Sequence, residues 1–171
     1  MTKHMLGNKN FFMILQSKFF IFFATGCYTG KIPFAPGTFG TAMGLFPCFF
    51  LSVISCHKAI FFLLLFIFFA VIVSHKAEKI LNVKDPGSIV IDEISGIMVT
   101  MLCIPFNITS CAAGFIIFRF FDIIKPFPIR FLDEKMSGGA GIVMDDLAAG
   151  LISNILLRIL YPYITQIHVN L

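Results

Sequence analysis

Apolar runs recur along the chain with polar breaks between them: Phe11–Thr25, interrupted by Lys18; Ala42–Cys56; Ala59–Ser74; Ile94–Phe118; and Leu147–Tyr161, broken late by Arg158. The runs lack period-2 alternation, which predicts helices and argues against a barrel. Pro105 and Asn107 break the fourth run, giving short helices over Ile94–Ile104 and Thr109–Phe121. Most runs fall short of the roughly 20 residues that span a bilayer comfortably at 1.5 Å each. Two arrangements fit: spanning helices extended by their polar ends in a locally thinned bilayer, or a compact bundle that penetrates partway. Gln16 and Lys18 would also suit an interfacial first helix. The expected fold is all-α, a compact multi-helix membrane bundle with short apolar helices and polar loops on the cytoplasmic side. It forms a single domain over residues 1–171, of which 1–22 are an N-terminal apolar lead.

Composition sharpens this picture. Of 171 residues, 58% are hydrophobic and only 13% charged, with 23 Phe and a mean hydropathy of +0.93, against about 25% charged in ordinary soluble domains. That excludes a disordered chain, a coiled coil and a nucleic-acid-binding domain. Cys27, Cys48, Cys56, Cys103 and Cys111 show no C-x-x-C spacing, and the expectation is buried free thiols acting as small hydrophobes. No small-x-small cleavage site follows Phe11–Thr25 before Lys31, so a secretory signal is not expected there.

The charges are distributed unevenly. All nine acids lie between Glu78 and Asp146. Threading the helices up and down from Lys3 and Lys9 places every acid on one face. Lys31, Lys76, Lys79, Lys84, Arg119, Lys125, Arg130 and Lys135 join them, against Lys3, Lys9, Lys58 and Arg158 on the other face. The Lys/Arg bias makes the acidic face cytoplasmic.

Four polar segments converge there. Pro33–Thr41 is a Pro/Gly loop entering a helix, where Gly37 and Thr38 present backbone N–H groups suited to phosphate oxygens; small-residue packing at Gly40-x-x-x-Gly44 explains it equally well. Asp92 and Glu93 open an apolar helix after Ile89-Val90-Ile91. Helix-dipole capping accounts for part of this, but ionisable groups placed against membrane-depth residues are costly and mark function. Arg119, Asp122 and Lys125 follow at intervals of three, sharing a helical face before Pro126 and Pro128. They could be a snorkelling salt-bridge cluster, or a metal-ligating acid flanked by two phosphate-binding cations. Gly138–Gly141 leads to Asp145 and Asp146 at the mouth of the last apolar helix.

Asp92, Glu93, Asp122, Asp145 and Asp146 gathered at one end of a bundle would repel one another without a cation among them. Hard oxygen ligands beside phosphate-binding groups describe a Mg²⁺ site, and the expected substrate is a phosphorylated lipid. No Cys is followed by five residues and an Arg, and no Asp-x-Asp occurs. His57, His75 and His168 lack an acid four residues on, and the Asp-rich signature of CDP-alcohol phosphotransferases is absent. Attack by metal-activated water is favoured by elimination, with an Asp nucleophile left open.

The stretches PFAPGTFGT, DPGSIVIDEISG, FRFFDIIKPFPIRFLD and GGAGIVMDDLAAG, ordered between about Phe23 and Leu156, resemble the phosphatidylglycerophosphatase A family. The resemblance implies a small all-helical, Mg²⁺-dependent lipid phosphatase that converts phosphatidylglycerophosphate to phosphatidylglycerol in phospholipid biosynthesis at the bacterial inner membrane. It implies catalytic and metal-binding acids at Asp92, Glu93, Asp122, Asp145 and Asp146, a basic pair at Arg119 and Lys125, and a substrate loop at Pro36-Gly37-Thr38. Family members often carry Trp where this chain has Ile91 and Phe127. A small transporter would instead place acids mid-helix, and a non-catalytic subunit would not gather carboxylates.

Overall fold

The computed structural model describes residues 2–169, with side chains over residues 13–164. The described residues are helical throughout: α1 (Thr2–Ala24), α2 (Pro36–Ser52), α3 (Cys56–Leu81), α4 (Ile91–Thr100), α5 (Ile108–Ile124), α6 (Ile129–Lys135) and α7 (Gly138–Val169). A short 3₁₀ turn at Thr29–Lys31 precedes α2. The expected all-α class is observed, but the boundaries differ. α2 begins at Pro36, because proline's fixed φ is preorganised for the first helical position, and ends before Cys56 rather than at it. α3 runs on through His75 and Lys76 to Leu81, stopping where Asn82 adopts a left-handed φ of 52°. The Gly138–Gly141 segment, expected as a loop, is the first turn of α7.

The break at Pro105–Asn107 is real. α5 restarts there with a reciprocal capping box: Ser110 N donates to Asn107 Oδ1 at 2.9 Å, and Asn107 N donates to Ser110 Oγ at 3.2 Å. At its other end Lys125 is left-handed at φ 46°, and Pro126 follows. The short α6 was not anticipated, because the Pro126–Pro128 segment obscures it in the sequence.

α4 is the central element, with Ile91, Ile94, Ser95, Gly96, Ile97, Met98 and Thr100 buried. Its neighbours approach through glycines. A Cβ on Gly44 would overlap Ile97, and one on Gly150 would overlap the Gly96 carbonyl oxygen. A Cβ on Gly96 would overlap the Phe118 ring and lie 2.9 Å from the Asp146 carbonyl. Close backbone approach of this kind is the packing mode of helices in an apolar surround.

At only ten residues, α4 leaves carbonyls unsatisfied at its C-terminus. α7 supplies their partners. Asn154 Nδ2 donates to Thr100 O at 2.8 Å and to Leu102 O at 3.1 Å, and Arg158 Nη2 donates to Leu102 O at 2.8 Å. Arg158, which breaks the last apolar run in the sequence, is therefore a cap for a neighbouring helix.

The outward face of α3 exposes Phe61, Phe62, Leu64, Leu65 and Phe68. α3 and α7 are long and apolar enough to cross a membrane. The bundle has two distinct ends. Val90 N bonds Ala24 O at 2.9 Å, and Lys125 meets Asp145, which gathers the 24–36, 81–91 and 124–138 connections at one end. The 52–56 and 100–108 connections meet at the other. Lys3 and Lys9, assigned above to the second end, have side chains outside the described residues.

One expectation is corrected. Cys56 and Cys103 form a disulfide, with Cα atoms 5.5 Å apart, rather than remaining free thiols. The break after α4 turns Cys103 back toward the first residue of α3, a proximity that a sequence separation of 47 conceals. Cys27, Cys48 and Cys111 are free.

Gly150→Val should destabilise the bundle by about 2 kcal/mol or more, since overpacking a tight interface commonly costs ~1–3 kcal/mol and the obstructing atom here is backbone. Thermal unfolding in detergent measures it; a melting temperature equal to that of the unsubstituted chain would show that α4 and α7 are not in close contact.

Candidate active site

The site forms where the N-terminus of α4, the first turns of α7 and the last turn of α5 meet. Asp92 and Glu93 occupy the first turn of α4, where the helix dipole favours negative charge. Asp146 comes from the face of α7 that packs on α4. One carboxylate oxygen from each of Asp92, Glu93 and Asp146 lies within 4.8 Å of the others. Asp92 is 8% exposed and Asp146 4%, so water offers little screening. Glu93 Oε2 is buried without a hydrogen-bond partner.

The two remaining acids are paired. Asp122 accepts from Arg119 Nη1 one turn earlier on α5, while standing close enough to Glu93 and Asp146 to interact with both charges. Asp145 Oδ2 accepts from Lys125 Nζ at 2.6 Å, leaving Asp145 Oδ1 buried and unpartnered. The five acids named from the sequence are thus brought together, but in two groups: three mutually close carboxylates that form no direct ion pair among the described residues, with the Arg119 charge near Glu93, and two paired directly with the basic residues. Lys125 does not complete an Arg–Asp–Lys row on α5, because its left-handed backbone redirects it.

Lys125 Nζ also lies 3.1 Å from Asp133 Oδ1 on α6. Burial works to lower the Lys125 pKa, but hydrogen bonds and charge attraction from Asp145 and Asp133 outweigh it and hold the ammonium above its ordinary value. Asp133 was not singled out in the sequence; only the turn through Pro126–Pro128 brings it back to Lys125, and no helical spacing signals that. It lines a polar cavity of about 390 Å³ with Glu78, Lys84, Asp85 and Ser137. Asp85, at φ 46°, has its carboxyl raised by burial, with Lys125 pulling the other way. His75 and Glu78 adjoin Gly138: a Cβ there would lie 3.2 Å from His75 Nδ1 and 3.9 Å from Glu78 Oε2.

The Pro36-Gly37-Thr38 segment closes over the cluster. A Cβ on Gly37 would overlap Glu93 Oε1 and stand 2.9 Å from Arg119 Nη1. Glycine is therefore required by space, and the loop expected to contact phosphate does sit against an acid and an Arg. Thr38 N is engaged with Ala35 O at 3.0 Å.

Three oxygen donors, an orphaned carboxylate oxygen and two cations beside them suit a divalent cation and a phosphoryl group, not a thiol- or imidazole-based centre. Fold and site together define an all-helical protein with a carboxylate cluster beside two cations. Over residues 22–161 the chain matches the phosphatidylglycerophosphatase A family, and it belongs to that family. It is 37% identical over 131 residues to phosphatidylglycerophosphatase A of Escherichia coli (strain K12), covering 76% of each chain. To the enzyme of that name from Haemophilus influenzae it is 38% identical over 130 residues, 75% of this chain and 80% of the relative. A Bacteroides thetaiotaomicron protein, 33% identical over 147 residues (81% of this chain, 91% of the relative), is named provisionally as a phosphatidylinositol-3-phosphatase. No solved structure matches the chain. The chain is an enzyme, a phosphoric monoester hydrolase.

Gly37→Val should lower kcat/KM for phosphate release by about 100-fold or more, the scale on which ångström-sized misplacements act, because Glu93 and Arg119 must both move. Steady-state kinetics on folded variant checks this; a change under about threefold would detach Gly37 from the site.

Proposed function

We propose that the protein hydrolyses phosphatidylglycerophosphate to phosphatidylglycerol and phosphate, in phospholipid biosynthesis, with Mg²⁺ as cofactor. The observation that carries this is the Asp92–Glu93–Asp146 set, mutually close, with Asp92 and Asp146 buried and none of the three in a direct ion pair among the described residues. It is supported by the name of the two phosphatidylglycerophosphatase relatives.

Asp92, Glu93 and Asp146 would hold the metal, with Asp122 and Asp145 adjoining them. Mg²⁺ favours such all-oxygen sites, keeps several waters, and when bound would polarise a phosphoryl oxygen and make water more acidic. The chain's own groups do the rest. The Arg119 guanidinium, anchored on Asp122, offers its remaining donors to the phosphoryl oxygens. Lys125 stands as a mobile point charge between Asp145 and Asp133, able to exchange either carboxylate for phosphate. Gly37 lets the α2 N-terminus close onto Glu93 and Arg119, restricting water at the reacting centre.

The protein acts from within the bilayer of a bacterial inner membrane as a multi-pass bundle. The exposed Phe and Leu side chains of α3 face lipid, and the site sits at headgroup level. Lys31, Lys76, Lys79, Lys84, Arg119, Lys125, Arg130 and Lys135 share the end that carries the acids, which makes that end cytoplasmic.

Detergent-purified protein should release phosphate from phosphatidylglycerophosphate with Mg²⁺, lose this in EDTA and regain it with added Mg²⁺. Asp92→Asn and Asp146→Asn should each cost at least about 100-fold, the scale of one buried charge-assisted interaction of ~3 kcal/mol. Full activity in EDTA, or near-normal turnover by both variants, would overturn the proposal.

A further inference from the structure

The end of the bundle remote from the acids carries a feature that hydrolysis does not use. Cys56 is the first residue of α3, and Cys103 lies in the break between α4 and α5 at φ 55°. α3 has 26 residues, so its ends are about 39 Å apart at 1.5 Å per residue. Its C-terminal end reaches Glu78, beside Asp85 and Asp133. The Cys56–Cys103 bond is therefore separated from the Glu78 end of α3, with Asp85 and Asp133, by about a bilayer thickness. Cys56 is exposed, and both residues line a cavity of about 250 Å³ together with Ser52, Ala59 and Pro105.

Disulfides form and persist in oxidising compartments and are removed by cytosolic thiols. The Lys/Arg distribution puts the opposite end of this molecule in the cytoplasm. The geometry points to Cys56 and Cys103 as an oxidative modification site on the extracytoplasmic face, joined there by thiol–disulfide exchange with a protein disulfide. The Cys56 thiolate attacks one sulfur of that disulfide and releases a thiol. The Cys103 thiolate then displaces the second sulfur from the mixed disulfide, so two protein thiols become one disulfide and the partner disulfide becomes two thiols.

The bond has a mechanical consequence. It fixes the segment after α4 to α3, while Asn154 and Arg158 fix the same segment to α7. Held on both sides, α4 cannot slide along its axis, and Asp92 and Glu93 at its other end keep their depth. The inference rests on the orientation proposed above but not on the substrate.

The test uses the full chain in intact cells carrying Cys27→Ser, Cys48→Ala and Cys111→Ser, so that Cys56 and Cys103 are the remaining cysteines. A membrane-impermeant polyethylene-glycol maleimide should give no gel shift, and two added labels per chain after treatment with an impermeant phosphine reductant. Adding Cys56→Ser should give one label without reductant. Labelling of both thiols before reduction, or labelling only after the cells are lysed, would overturn the inference. If the triply substituted chain does not accumulate, the wild-type chain is trapped with iodoacetamide and digested. A Cys56–Cys103 cross-linked peptide supports the bond, and two alkylated peptides overturn it. Reductant should also lower the wild-type melting temperature by several degrees and leave the Cys56→Ser/Cys103→Ser chain unchanged. Because neither labelling nor melting reads phosphate release, failure here is distinct from failure of the phosphatase reading.

Discussion

Mutual repulsion of three buried carboxylates is the constraint on which the rest of this structure turns. At separations no greater than 4.8 Å, two unit charges in an effective dielectric near 20 repel by about 3.5 kcal/mol or more, and each carboxylate faces two others. The bundle nevertheless brings Asp92, Glu93 and Asp146 to one point, while Arg119 and Lys125 make their direct ion pairs with Asp122, Asp145 and Asp133. A fold of marginal stability can hold such a cluster when a bound cation offsets the repulsion, the role proposed above for Mg²⁺. The surrounding geometry serves that end: Gly96 and Gly150 let α4 and α7 approach closely enough to place Asp92 and Asp146 together, and Gly37 lets a loop approach Glu93 from the other side.

Position along the membrane normal follows from the same elements. α4 spans about 15 Å by its ten residues, so it starts at the acidic end and stops short of the far end, which the segment to Cys103 reaches. A helix ending there needs partners for its carbonyls, and the Asn154–Arg158 pair supplies them. Polar residues in the last apolar run thus serve a helix elsewhere in the chain. The acids remain at one end of the bundle, and the far end is closed by caps and a covalent bond.

Much of this was legible in the sequence, for physical reasons. Apolar runs without alternation specify helices, Pro105 and Asn107 specify a break, and acids confined between Glu78 and Asp146 specify a single charged end. Adjacent Asp-Glu and Asp-Asp pairs beside apolar runs marked the site before any contact was known, although Asp145 and Asp146 lie about two turns inside α7 and not at its mouth as expected. The division of five acids into a trio without direct ion pairs and two ion-paired acids was not legible. It depends on the left-handed turn at Lys125 and on the return of α6, neither of which has a local spacing signature. The disulfide was hidden for the same reason: a sequence separation of 47 lies between two cysteines that only the α4–α5 break brings together. The true lengths of α3 and α7 were underestimated because Lys76 and the Gly138–Gly141 run look like ends when burial is unknown.

If repulsion among Asp92, Glu93 and Asp146 is what the cation relieves, metal must stabilise the folded protein. Melting temperature measured against Mg²⁺ concentration tests this without any substrate. At 100 times the dissociation constant the gain is about 2.7 kcal/mol, or about 5–10 °C for a chain of this size. The Asp92→Asn/Asp146→Asn chain should melt higher than wild type without metal and show no rise with it. A wild-type melting temperature indifferent to Mg²⁺, or an equal rise in the doubly substituted chain, would contradict the account.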